Sequence, residues 1–363
     1  MQSDFSVSDI WTGGWDEPGL QAWAAGLRAR LAAANVTFGL VFASPEYFEN
    51  AASMLELLRV HARIPLLLGC SSMSLIAGEE EREHEGGIAL GLYHLPGAKL
   101  QAHTFTQQDV EAMASPEDWH QKTGISNGAN NGWLVFADPF TVDCDAWLRS
   151  WDAAYSPVPT LGGLASGDPM EQRTQVYLNS EVLDSGGVAL SIGGDVALEG
   201  VISQGCTPIG ESWTITKAEN NLIHKIANRP AYDVLLDTFN TLSSELQARL
   251  RGNLFVGLVT NEYQEEYHRG DFLIRNLLAA DPKSGTIAVS ALPRTGQAIQ
   301  FQSRDASTAT DDLAQLLEAA SLRIGHREIY GGCLCSCNGR GRSLFGRPDH
   351  DASLVQKHLG PTA

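Results

Sequence analysis

The stretch Gln204-Gly205-Cys206-Thr207-Pro208-Ile209-Gly210 gathers an amide, a thiol and a hydroxyl among two glycines and a proline. Gly and Pro favour a tight turn, and at a strand end such a turn would present Gln204, Cys206 and Thr207 to a small ligand. A thiol there becomes a nucleophile only where a cationic neighbour lowers its pKa, and the sequence shows no such neighbour. Gly69-Cys70-Ser71-Ser72 and Gly162-Gly163-Leu164-Ala165-Ser166 suggest a second chemistry. Small residues let a ligand approach the backbone, and free N–H groups can hold a carboxylate or phosphate. In open α/β sheets, ligands bind beyond the carboxyl ends of strands. The plain alternative in each case is a loop whose glycines serve backbone geometry alone.

Cys333, Cys335 and Cys337 have strand spacing. On a strand all three would face one side, about 6.6 Å apart along it. Zinc would need a suitable second pair, and the sequence contains no C-x-x-C partner, so thiols packed as small apolar groups are the expectation. Cys337 differs because Asn338-Gly339-Arg340-Gly341 follows it. A turn there places Arg340 either to favour the Cys337 thiolate or to grip an anion through its planar fork. Asp349, just before a helix-like stretch, is a plausible N-cap. The ten histidines show no paired metal spacing. A single axial haem ligand needs no motif, which leaves haem open as a cofactor although none is assigned. No nucleophile–base pair is recognisable from spacing, so no catalytic residue and no metal ligand are assigned. The candidate ligand-binding set is therefore Gly69, Cys70, Ser71, Ser72, Gly162, Gly163, Ser166, Gln204, Cys206, Thr207, Gly210, Cys337, Asn338 and Arg340.

Gly69–Ser72 and Gly162–Ser166 sit on a repeated scaffold. GLVFASP starts at 39 and WLVFADP at 133, while PLLLGCSS starts at 65 and PTLGGLAS at 159, an offset of 94 in each case. GGIAL at 86–90 and GGVAL at 186–190 follow at an offset of 100. Self-similarity of this kind fixes architecture before any propensity argument. It predicts a strand–helix–strand–hairpin unit over 36–106 and again over 130–204. Within the first copy, strand 36–43 leads into a helix over 46–61 with Pro45 in its first turn. Phe48, Ala52, Leu55 and Leu58 line one face of that helix. The apolar run at 65–68 reads as a strand covered on both faces, and 87–95 with 100–106 reads as an antiparallel hairpin around Pro96-Gly97-Ala98. A helix over 20–34 precedes the first copy. Later stretches at 272–278, 286–292 and 297–302 alternate like strands, helices are expected near 308–323 and 349–358, and a strand over 332–337. The fold class is α/β, or mixed α+β: two related domains, 1–215 and 216–363, with mixed sheets flanked by helices.

At 363 residues and a formal charge of −18, the chain reads as a folded protein of two domains and not as a binder of the nucleic-acid backbone, which calls for clustered Lys and Arg. No apolar run is long enough to span a membrane, and the N-terminus lacks a secretory pattern. Six cysteines in this length suggest reduced thiols and a cytoplasmic location.

VISQGCTPIGESWTITKAENNLI from Val201, the string from Phe272 to Ser307, and CNGRGRSLFG at 337–346 together resemble the FIST family (F-box and intracellular signal transduction). GCSS at 69–72 and GGLAS at 162–166 stand where that resemblance puts them. It covers nearly the whole chain and implies a cytoplasmic module sensing a small ligand, such as an amino acid, with a separate kinase, cyclase or similar signalling protein as partner. It also implies rivals: a haem-based nitric-oxide sensor and a protein-recognition scaffold. A cysteine-dependent enzyme using Cys206 or Cys337 is the third alternative. Members of the family usually continue into a Gly-rich last strand. The string ending in Gly360-Pro361-Thr362-Ala363 lacks it, so an open sheet edge and self-association through it are expected.

Overall fold

The structure is a computed structural model and describes residues 4–168, 170–244, 247, 254–260, 267 and 271–360. It forms two compact units, Met1–Val201 with Ala320–Ala363, and Ile202–Ala319. The expected division into 1–215 and 216–363 is cut across, because the C-terminal segment packs with the first unit.

The first unit is built by the repeat. Its first copy runs β1 (Ser6–Trp11), α1 (Glu17–Arg30), β2 (Phe38–Ala43), a 3-10 turn (Pro45–Asn50), α2 (Ala51–His61) and β3 (Leu67–Ser71). The hairpin β4 (Ser74–Ala77) and β5 (Glu80–Glu83) and then β6 (Ile88–Tyr93) complete it. Its second copy runs β7 (Ala98–Phe105), α3 (Gln107–Ala112), α4 (Pro116–Thr123), β8 (Gly132–Ala137), α5 (Cys144–Tyr155) and β9 (Thr160–Leu164). The hairpin β10 (Val176–Leu178) and β11 (Glu181–Leu183) and then β12 (Gly187–Gly194) close it. The strand orders agree: β1-β6-β2-β3 in one sheet and β7-β12-β8-β9 in the other. β2 and β3 are parallel, as are β8 and β9.

The repeat therefore begins one strand earlier than the sequence suggests, at β1 and at β7. β6 and β7 are not a hairpin: β6 lies between β1 and β2, while β7 pairs with β12 in the other sheet. Pro96-Gly97 links the two copies. The physical reason is burial. Every residue of β6 is buried, as a central strand requires, whereas β7 alternates as an edge strand does. The matching hairpin expected to end at 204 is also absent, since 195–205 is neither helix nor strand.

Alternation places two layers of core on each sheet. From β2, Val41 and Ala43 face α1 and α2, while Phe38 and Leu40 face the other sheet. From β8, Trp133, Val135 and Ala137 face the helices, while Leu134 and Phe136 point inward. Phe42 meets Phe136 edge-on at 5.3 Å across the interior, giving a helix–sheet–sheet–helix order of layers. On α5, Trp147, Trp151 and Tyr155 recur at four-residue spacing and so share a face. There Trp151 meets Trp133 at 4.9 Å and Phe105 stacks on Trp147 at 5.2 Å. Two glycines permit the parallel pairs. A Cβ on Gly69 would collide with the Val41 carbonyl oxygen, and one on Gly162 with that of Val135.

The hairpin β10–β11 of the second copy adds to the first copy's sheet, with Val176 opposite Cys70 and Tyr177 opposite Gly69. Residues 326–337 form neither helix nor strand, so the strand expected over 332–337 is not made. The helices α8 (Arg342–Phe345) and α9 (His350–Leu359) follow. Asp349 does not cap α9 with its side chain. Its Oδ1 instead accepts the Glu81 backbone N–H at 2.7 Å.

The second unit is an antiparallel ring. β13 (Cys206–Glu219), β14 (Leu222–Ile226), β15 (Arg229–Pro230), β16 (Leu254–Val259), β17 (Phe272–Asp281), β18 (Thr286–Val289) and β19 (Ala298–Arg304) take the order β13-β19-β16-β17-β18-β14-β15. β13 also pairs with β14, which closes the ring among the described strands. Its core includes Ile209, Ile215, Ile223, Val256, Ile287 and Phe301, covered by α6 (Ala231–Asn240). Helix α7 (Ala306–Ile324) follows β19 directly.

Candidate functional site

In the second unit, the 204–210 stretch is not a turn after a strand. Cys206 opens β13 and pairs with Arg304, followed by Thr207 with Ser303 and Pro208 with Gln302. The irregularity lies later, between Ile209 and Trp213, where Gly210 adopts a φ of +67°. Only glycine takes that conformation without penalty, and a Cβ there would also meet Thr238 Cγ2 at 2.9 Å.

The Gln204 amide imitates a strand. Its Nε2 donates to the Phe272 carbonyl at 2.7 Å and its Oε1 accepts the Ile274 N–H at 2.9 Å. Asp312 Oδ2 accepts from Ser203 Oγ at 2.6 Å and from the Gly205 N–H at 3.0 Å. These bonds fix the start of β13 against β17 and α7. Between β13 and α7 an open cleft of about 290 Å³ is lined by Cys206, Thr207, Pro208, Thr308, Asp311 and Gln315. A second cleft of about 190 Å³ shares Cys206, Pro208 and Gln315 and reaches Gln204, Phe272 and Ile274.

Thr207 Oγ1 is buried at the cleft wall and has no hydrogen-bond partner among the described residues. A buried hydroxyl without a partner costs about 1–3 kcal/mol, and this one lies at the cleft wall with its hydrogen-bonding capacity unused. Asp311 is exposed on the same wall, which gives the cleft an anionic rim.

The sequence reading missed α7's contribution. Thr308, Asp311, Asp312 and Gln315 follow the i, i+3, i+4, i+7 pattern of one helix face. Ala309, Leu313 and Leu317 are buried on the other. That polar stripe is visible in the sequence once the helix is placed. Of the remaining polar residues nearby, Asp305 caps α7 by accepting the Thr308 N–H at 3.1 Å, and Arg304 lies over the Phe255 ring at 4.7 Å.

In the first unit, the two equivalent strand ends do come together. The Ser166 N–H donates to the Ser71 carbonyl at 3.0 Å, and Ser166 Oγ accepts the Met73 N–H at 3.0 Å. Ser71 exchanges bonds with Gln175, while Ser72 Oγ donates to the Ser74 carbonyl at 2.6 Å. The donors expected to hold an anion are thus engaged, Ser71 and Ser166 in tying the two copies together and Ser72 within the first. Cys70 is buried and its thiol is pushed up by that burial. Gly163 lies beside Cys335.

Arg340, expected to grip a ligand or activate Cys337, is buried and bidentate to Asp351, with Nε–Oδ2 at 2.5 Å and Nη2–Oδ1 at 2.8 Å. The Arg340 N–H donates to the Cys337 carbonyl at 2.9 Å, closing the turn that exposes Asn338. Cys337 Sγ accepts the Gly339 N–H at 3.5 Å. His350 Nδ1 lies 2.9 Å from Asp351 Oδ1, and the His350 ring stacks on Phe345 at 3.5 Å. Burial pushes the Asp351 carboxyl up, but Arg340 and His350 outweigh it and hold it below the usual range. Burial lowers His350, with Asp351 opposing. Among the described residues, no three His, Cys, Asp or Glu side chains are placed to hold a metal ion, and no helix is long and apolar enough to cross a membrane.

The FIST N domain matches residues 37–229 and the FIST C domain residues 231–363. An uncharacterised protein of Mycobacterium tuberculosis (strain H37Rv) is 30% identical over 337 residues, which is 93% of this chain and 86% of that protein. An uncharacterised protein of Mycobacterium bovis is 31% identical over 333 residues, 92% of this chain and 84% of its own.

Proposed function

The chain belongs to the FIST family, whose domains are associated with signal transduction and small-ligand sensing, and on that premise we propose that it is a sensory module for a small amine-bearing metabolite. Amino acids are the first class to test. The ligand occupies the cleft between β13 and α7 and its occupancy is passed to a separate signalling protein. The observation that carries this reading is the buried, unpartnered Thr207 hydroxyl beside the exposed Asp311 carboxylate. A ligand amine or hydroxyl can bond Thr207, and an ammonium group can pair with Asp311. Asp311 and the adjoining Asp312 disfavour a purely anionic ligand. The remaining wall, Cys206 and Pro208, is apolar enough to cover a short side chain.

The test is thermal-shift screening of the full chain against proteinogenic amino acids and small amines. A ligand binding only the folded state at a hundredfold over its Kd adds about 2.7 kcal/mol. That gain should disappear in Cys206→Trp, which fills the cleft. Because Cys206 is buried, the milder Asp311→Ala on the exposed rim serves beside it and should weaken the shift. Well-folded variants that both keep the full shift would remove the cleft from the site.

A further inference from the structure

Cys333 and Cys335 lie in the first unit, away from any role in the β13–α7 cleft. Their sulfur atoms are 3.9 Å apart and both residues are exposed. Alternating positions on a flat strand would hold their Cβ atoms on one side with the sulfurs free to diverge. Here the segment makes no strand ladder, and the two thiols turn toward each other. Gly163 of β9 supplies the room: a Cβ there would stand 3.3 Å from Cys335 Sγ. On the other side the Tyr93 hydroxyl donates to the Gly332 carbonyl at 2.9 Å, anchoring the residue before Cys333.

We propose that Cys333 and Cys335 are a reversible dithiol–disulfide site for hydroperoxides. This goes beyond ligand sensing in the second unit and does not depend on it.

The pair's own geometry prepares a thiolate. The two sulfurs share one hydrogen bond in which either can donate, so the thiolate of one is held by the thiol of the other, and thiolates are the form that attacks peroxides. In the first step the thiolate of one cysteine attacks one peroxide oxygen. The O–O bond breaks, the distal oxygen leaves as hydroxide or alkoxide and takes up a proton, and the attacking cysteine becomes a sulfenic acid. In the second, the sulfur of the other cysteine attacks that sulfur, the S–S bond forms, and hydroxide leaves and takes the remaining thiol proton as water. Two thiols are oxidised by two electrons in total and one hydroperoxide is reduced to water plus water or alcohol.

Closing the bond requires the sulfurs to move from 3.9 Å to about 2.0 Å. Residues 331–337 can bend without breaking helix or sheet hydrogen bonds, because they make none of that kind. The other cysteines provide internal controls. Cys70 and Cys206 are buried, and burial together with Asp145 pushes Cys144 up to about 11. Cys337 is exposed and so isolates the effect of pairing from that of access.

The experiment treats the reduced full chain with hydrogen peroxide, blocks remaining thiols with iodoacetamide, and maps the products by peptide mass spectrometry. The expected result is a disulfide joining Cys333 and Cys335, reversed by dithiothreitol. Cys333→Ser should leave Cys335 as a sulfenic acid that dimedone captures roughly tenfold faster than Cys337. Cys337→Ser should change neither result. The proposal is overturned if the bridge joins another pair, if Cys335 and Cys337 are labelled equally fast, or if all six cysteines remain reduced while free glutathione in the same tube is oxidised. Each serine variant is exposed, so folding can be checked by circular dichroism before labelling.

Discussion

Arg340 reaches both carboxylate oxygens of Asp351 through a parallel pair of hydrogen bonds, with both side chains buried. Asp351 belongs to the first turn of α9 and Arg340 to the turn after the cysteine-rich segment, so the pair ties the two together. The same cluster reaches the first copy of the repeat: the Glu81 carboxylate accepts the Ala352 N–H at 2.7 Å, and Asp349 accepts from Glu81 in return. The conspicuous Arg340 of the CNGRGRSLFG string thus holds structure, and its fork faces a carboxylate within the chain.

Removing one partner should be severe. Asp351→Ala leaves a buried guanidinium without its counter-charge and should lower unfolding free energy by about 3–5 kcal/mol. The double replacement Arg340→Met with Asp351→Leu should recover most of that loss. Urea unfolding measures both; a loss under about 1 kcal/mol for Asp351→Ala would mean that the pair behaves as a surface bridge.

Acidification should weaken the first unit in two stages. His350 and Asp351 are both held below their ordinary values, so the unfolded chain takes up each proton first as pH falls. His350 begins to remove stability as pH drops through its unfolded value of 6.5, and Asp351 below 3.8. Glu81 acts with the opposite sign: burial raises it above 4.5, so it protonates earlier in the folded state and restores some stability just above that value. Urea midpoints measured from about pH 7 to 5 should fall for the wild type and stay flatter for His350→Gln. Equal slopes would refute the first stage.

Gly69→Ala and Gly162→Ala each place a methyl group against a carbonyl of the neighbouring parallel strand. Each should destabilise by about 3 kcal/mol or more. Gly26→Ala, at an open and exposed position of α1, should instead stabilise by about 1 kcal/mol. Melting temperatures of the three variants side by side distinguish close approach from ordinary glycine flexibility; similar melting for all three contradicts the register.

Thr207→Val tests the orphan hydroxyl directly. Without ligand, removing an unpaired buried hydroxyl should leave stability unchanged or raise it by about 1–3 kcal/mol. With ligand, the stabilisation should shrink. A variant that is less stable alone yet responds fully to ligand would show that the hydroxyl serves the fold.

The sequence repeat located β2, α2 and β3 and their counterparts β8, α5 and β9, because long apolar runs with glycine at fixed offsets survive in both copies. It misplaced β7, because an alternating run declares that one face is covered but not which strand covers it. Pro96-Gly97 has the chemistry of a hairpin turn whether it joins partners or separates copies. The structural match is also one residue off the aligned one: Val41 pairs with Gly69, but Val135 with Gly162 and not Gly163. At 204–210 the glycines suggested a turn, and the strand partner that overrides this, β19, lies almost a hundred residues away. The α7 stripe at 308, 311, 312 and 315 was legible in principle. Its meaning depends on β13 lying beside it.

The placement of β10–β11 on β3 has a consequence for how the chain is made. Ribosomal synthesis delivers β3 long before β10, with all of β4 to β9 emerging in between. During that interval the nascent first copy carries an open parallel edge ending in Cys70 and Ser71, of the kind that pairs with stray strands. A chaperone holding the nascent chain through this window, or slow translation after β11, would protect it. A fragment stopping at the Pro96-Gly97 link should therefore aggregate, whatever the quality of its own core.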